Sequence, residues 1–76
     1  MDELLEVLSD VRDDVDFEHE TALVDDHIIS SFDILSIISA LNDEYDISIP
    51  ASEIVPANFN SAKGLYDMVQ RLLEED

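Results

Sequence analysis

The sequence predicts an all-α domain: a small four-helix bundle of three long helices and one short helix, with a long loop between the first two helices. Apolar residues recur at helical spacing in three stretches, and no stretch alternates apolar with polar residues as a half-buried strand does. The third observation is length, since 76 residues suit one small domain, here the whole of 1–76. A domain this small buries only about 60% of the surface its unfolded chain exposes, which argues against a deep enclosed active site. The composition is 46% hydrophobic, enough for a core and too much for a disordered acidic tail.

The first helix is read from about Asp2 to Asp14, where Leu4, Leu5, Val7, Leu8 and Val11 recur at i, i+3, i+4 and i+7 among acids. Its acidic first turn suits the positive end of the helix dipole. From Val15 to Ser30 the periodicity lapses into a loop anchored by Phe17, Leu23 and Val24. Loops that long in small domains are functional or pinned to the core. The second helix is read from Ser31 to about Tyr45, with Ile34, Ile37, Ile38, Leu41 and Tyr45 facing inward and Phe32 and Leu35 left near the rim. Pro50 breaks the pattern after Ile49, and a short turn from Ser52 to Val55 is expected to end at Pro56. The last helix is placed from about Ser61 to Glu75, with Ser61 as N-cap.

Charge narrows the function classes. Twenty Asp and Glu against 3 Lys and Arg give a net charge of −17, which repels nucleic acid and anionic membrane surfaces. Such a field attracts a basic patch on another protein, or it serves only to keep a small protein soluble and monomeric. The expectation is a monomer with no nucleic-acid partner. With no cysteine there is no disulfide, no thiolate metal site and no thiol nucleophile. No secretory leader opens the chain and no apolar run approaches the length of a membrane span, so a cytoplasmic protein without membrane insertion is expected.

Chemistry-bearing motifs are few. Ser31, His19, His27 and the many carboxylates lack the Gly-x-Ser-x-Gly elbow that a serine hydrolase uses. The acid clusters at Asp13-Asp14-Val15-Asp16 and Asn42-Asp43-Glu44-Tyr45-Asp46 do not fit the calcium-loop template, so no metal site is expected. The tetrad Ser30-Ser31-Phe32-Asp33 remains. Ser30 at N-cap with Asp33 at N3 reads as a capping box, which accounts for Ser30 and leaves Ser31 unexplained. A serine at a helix start suits attachment of a phosphate, because the local amides and the dipole stabilise an anion there.

The run Ile28-Ile29-Ser30-Ser31-Phe32-Asp33-Ile34-Leu35, then Leu41-Asn42-Asp43-Glu44-Tyr45, Ile47-Ser48-Ile49-Pro50 and Asn58-Phe59-Asn60-Ser61, resembles the acyl carrier protein family with its peptidyl and aminoacyl relatives. The resemblance covers nearly the whole chain. It implies that a phosphopantetheinyl transferase attaches phosphopantetheine from coenzyme A to Ser31, and that the resulting arm supplies the thiol the chain lacks. It further implies a carrier that catalyses nothing itself and holds acyl or aminoacyl groups as thioesters, in fatty acid, polyketide, nonribosomal peptide or related lipid biosynthesis. Phe32, Asp33, Leu35, Asp43 and Glu44 would then dock acyl-transferring, condensing or acyl-activating enzymes through basic, partly apolar patches, and Ile37, Leu41 and Ile54 would line a shelter for the carried chain. Two positions depart from the family pattern: Ser30 replaces the usual Asp before the modified serine, and Ser36 stands where fatty-acid carriers commonly place a glutamate. These departures leave the pathway open and imply slower modification or a dedicated transferase. The rival reading is a noncovalent acidic adaptor that binds a basic groove on a partner protein and has no use for Ser31.

Overall fold

A computed structural model of the chain describes residues 2–74. Among them the elements are all helical: α1 (Asp2–Val11), α2 (Ser31–Tyr45), a single 3₁₀ turn (Ala51–Glu53), α3 (Pro56–Phe59) and α4 (Ala62–Glu74). The all-α bundle expected from periodicity is therefore what forms, with α1, α2 and α4 long and α3 short.

Two boundaries differ from expectation. α1 ends at Val11 and not at Asp14, the last carbonyls being closed by a bond from Arg12 N–H to the Leu8 carbonyl at 2.9 Å. Its last turn carries no basic residue, and extending it through Asp13 and Asp14 would place two carboxylates at the negative end of the dipole. Pro56 opens a helix where it was expected to close one, and Val55 is the extended N-cap of α3 rather than part of a turn. The proline ring fixes φ near the helical value and its missing N–H would have no intrahelical partner at the first position, so proline is as good a start signal as a stop. Ser61 caps α4 as expected, its Oγ accepting from Gly64 N–H at 3.0 Å. Glu75, to which that helix was extended, lies outside the described residues.

The core is filled from all four α-helices: Leu4 and Leu8 of α1, Ile37 and Leu41 of α2, Phe59 of α3, and Leu65, Met68 and Val69 of α4 are all essentially inaccessible. Truncating one such leucine to alanine costs roughly 2–5 kcal/mol through lost transfer energy plus the cavity. The helices α3 and α4 meet so closely at Gly64 that a Cβ there would lie 2.9 Å from the Ala57 carbonyl oxygen, hence a residue without one.

The loop from 12 to 30 is pinned by its own apolar anchors, Phe17, Leu23 and Ile29, which join the core. Asn60, at the end of α3, holds it from the other side. The Asn60 carbonyl accepts from Leu23 N–H at 2.9 Å, and its side-chain Oδ1 accepts from Val24 N–H at 3.0 Å and Asp25 N–H at 3.1 Å. The chain reverses through the left-handed conformation of His27 (φ 56°), and the Leu23 carbonyl accepts from both Ile28 and Ile29 N–H. This clamp delivers the backbone to Ser30 from a fixed direction.

Candidate functional site

Ser30 has extended backbone (φ −93°, ψ 173°) and its Oγ accepts from Asp33 N–H at 3.3 Å, while Ser30 N–H donates to Asp33 Oδ2 at 3.0 Å. The reciprocal pair is the capping box the sequence suggested. Because Ser30 and Asp33 complete it between them, the hydroxyl of Ser31 is not used in the cap, and Ser31 stands exposed as the first residue of a 15-residue helix. The dipole of α2 makes this end partially positive, which suits a group that acquires a phosphate.

Asp33 Oδ2 has further donors, the Ser30 hydroxyl at 3.3 Å and Arg12 Nη1 at 2.6 Å. The Ser30 N–H bond, with the Arg12 guanidinium behind it, holds the Asp33 carboxyl below its usual range. Arg12 also forks across Asp14, with Nε to Oδ1 at 2.8 Å and Nη2 to Oδ2 at 2.9 Å, and these bonds raise its already high pKa.

The residues expected to dock partners occupy different settings. Phe32 and Leu35 are the two most exposed large apolar side chains, at 78% and 65%. They rise one turn apart beside Ser31. Asp33 is mostly covered, its side chain 17% exposed and committed to the cap and to Arg12. Asp43 and Glu44 are exposed near the other end of α2, about 18 Å along the helix axis from Ser31 at the standard rise. Glu44 faces α1 across an open hollow lined in part by Glu3, Glu6 and Asp10. Interaction with the Glu3 carboxyl, then partial desolvation and the charges of Asp10 and Glu6, raise the pKa of Glu44.

Of the residues expected to line an acyl shelter, Ile54 borders an apolar cleft of about 100 Å³ together with Val24, Ile34, Val55, Pro56 and Phe59. Ile37 and Leu41 are fully buried core residues and do not line it. Sequence reasoning missed Arg12, although one signal was present: it is the only Lys or Arg before Lys63 in a strongly acidic chain. It also missed the approach of α1 to Glu44. Among the described residues no three His, Asp or Glu side chains are grouped to hold a metal ion, and no helix is long and apolar enough to cross a membrane.

The chain is similar to aminoacyl carrier protein 1 of Bradyrhizobium diazoefficiens, with 37% identity over 46 residues, a match that covers 60% of this chain and 51% of that protein. That similarity supports the acyl carrier protein family. The match spans about half the length of the curated relative. No family model matches the chain, and no solved structure matches it.

Proposed function

We propose that the chain is a carrier protein whose Ser31 hydroxyl receives phosphopantetheine from coenzyme A. The observation that carries this reading is the division of labour between adjacent serines: Ser30 closes the cap, and Ser31 is left exposed on the positive end of α2 between a pinned loop and the apolar pair Phe32 and Leu35. The residues present fit the group, since an accessible hydroxyl, a helix N-terminus and an apolar rim lie together. When attached, the group supplies a terminal thiol that holds an acyl or aminoacyl group as a thioester.

In the attachment step the Ser31 oxygen attacks the pyrophosphate phosphorus nearer the pantetheine. The new O–P bond forms as the P–O bond to adenosine bisphosphate breaks, the leaving oxygen keeps the electron pair, and the hydroxyl proton passes to a base on the transferase. The chain's contribution is presentation: the cap fixes the first turn, and Phe32 and Leu35 offer an apolar contact. The acidic surface, including Asp43 and Glu44, steers basic faces of a transferase and of acyl-transferring, condensing or acyl-activating enzymes. The aminoacyl carrier relative favours aminoacyl cargo among the fatty acid, polyketide, nonribosomal peptide and lipid pathways. The reading is of a monomer acting in the cytoplasm and catalysing nothing itself.

Incubation with coenzyme A and a broad-specificity phosphopantetheinyl transferase, read by intact mass, tests it. One added arm on the wild type and none on Ser31→Ala is the expected result. An unmodified wild type beside a modified control carrier favours the acidic adaptor instead.

A further inference from the structure

Arg12 is the only Lys or Arg in the first 62 residues, and the fold brings it to the one helix start that carries Ser31. The Asp33 oxygen that closes the cap, Oδ2, is also the oxygen that Arg12 Nη1 contacts at 2.6 Å across 21 positions of sequence. Two donors of the same guanidinium are anchored on Asp14, so Asp14, Arg12, Asp33 and Ser30 form one continuous chain of hydrogen bonds from the exit of α1 to the N-cap of α2. The link is sheltered, with 32% of the Arg12 side chain and 17% of the Asp33 side chain exposed.

We infer that Arg12 is a positioning residue for Ser31, acting through Asp33 to hold the first turn of α2 and to neutralise the carboxylate that an incoming pyrophosphate would otherwise meet. The inference rests on the reading of Ser31 as the attachment site. Two physical effects act together. The ion pair keeps Asp33 Oδ2 in place for the Ser30 amide, so the backbone that presents Ser31 does not fray. It also offsets a negative charge two residues from the reacting hydroxyl, in a chain whose other acids already repel an anionic co-substrate. Because Nη1 alone reaches Asp33, a lysine can replace this contact, although it cannot reproduce the fork on Asp14.

The test uses the full chain and measures transfer from coenzyme A by intact mass, with the carrier concentration varied to separate kcat from KM. R12Q and D33N should each lower kcat about five-fold, the effect of one helix cap expressed as a rate, with KM for the carrier changed less than about two-fold. The double variant R12Q/D33N should be no slower than the slower single variant, because both substitutions break one link. R12K should restore most of the rate, and D14N, which removes only the anchor behind Arg12 and leaves the contact with Asp33, should slow it less than R12Q does. Wild-type kcat in R12Q, losses that multiply in the double variant, an R12K as slow as R12Q, or a D14N slowed equally would each overturn the inference while leaving Ser31 as the attachment site. Failure of the wild type to accept the arm beside a working control would overturn both. Far-UV circular dichroism accompanies each variant; should R12Q unfold, a slowed D33N supports the inference and a D33N at wild-type kcat overturns it.

Discussion

At the N-terminal end of α2 the Asp33 carboxylate accepts from the Ser30 backbone and hydroxyl and faces Arg12, whereas Glu44, near the C-terminal end, faces Glu3, Glu6 and Asp10. One pKa is lowered and the other raised, on the same helix. A net charge of −17 is therefore not spread evenly in its effects. Arg12, the only Lys or Arg before Lys63, meets Asp33 in the cap beside Ser31, and the acids at the far end are left to repel one another. A surface arranged this way is tied by hydrogen bonds where a hydroxyl is presented and strongly negative where a basic partner would be attracted.

Removing the satisfied carboxylate should break the comparison most. Asp33→Ala takes away the cap's reciprocal acceptor and the Arg12 contact together, with an expected cost of about 1–2 kcal/mol in urea unfolding. Ser30→Ala should cost about 1 kcal/mol, while Ser31→Ala should leave stability nearly unchanged, because only the first of these hydroxyls caps the helix. Equal losses in the two serine variants would show that the cap is shared.

Acid titration sharpens the contrast, since the two ends have opposite signs. Asp33 has a folded pKa below its ordinary 3.8, so its stabilising contribution is complete above that value and is lost as pH falls through the folded pKa. Glu44 has a folded pKa above its ordinary 4.5, so its ionisation destabilises the fold at neutral pH and protonation relieves this as pH falls through the folded pKa. His19, raised above 6.5 by Asp16, acts in the same direction as Glu44, its contribution being present below 6.5 and lost as pH rises through the folded pKa. The melting temperature should therefore climb on acidification from pH 7 to about 5 and decline below about 4, where carboxylates held low, such as Asp33, become protonated. A decline that begins directly from pH 7 would contradict the reading of the Glu44 end.

The smallest change is expected from Glu44→Gln, which should raise the melting temperature by roughly 1–2 °C at low salt and by less at high salt. Added salt should raise the wild-type melting temperature more than that of Glu44→Gln. Identical salt slopes would show that the far end is no more strained than the rest of the surface.

How much of this was legible follows from what each feature depends on. The helices of Leu4, Leu8, Ile37, Leu41, Leu65 and Val69 could be read because burial imposes a 3.6-residue period on the sequence. The capping box was legible because its partners lie three residues apart. The Arg12 to Asp33 link was not, since its partners are 21 residues apart and nothing local specifies which acid a lone arginine meets. The start of α3 differs from expectation because proline marks both ends of helices and nothing adjacent in sequence distinguishes them. Of Ile37, Leu41 and Ile54, only Ile54 borders the cleft. Its other walls come from the loop, α2 and α3, whose meeting is a tertiary fact.

The central claim is that of two adjacent serines one is structural and the other carries the attached group. Fragment mass spectrometry of the chain after reaction with coenzyme A and transferase tests it most directly, by locating the added mass among Ser30, Ser31 and Ser36. The adduct is expected on Ser31 alone; an adduct on Ser30 or Ser36 would overturn the assignment.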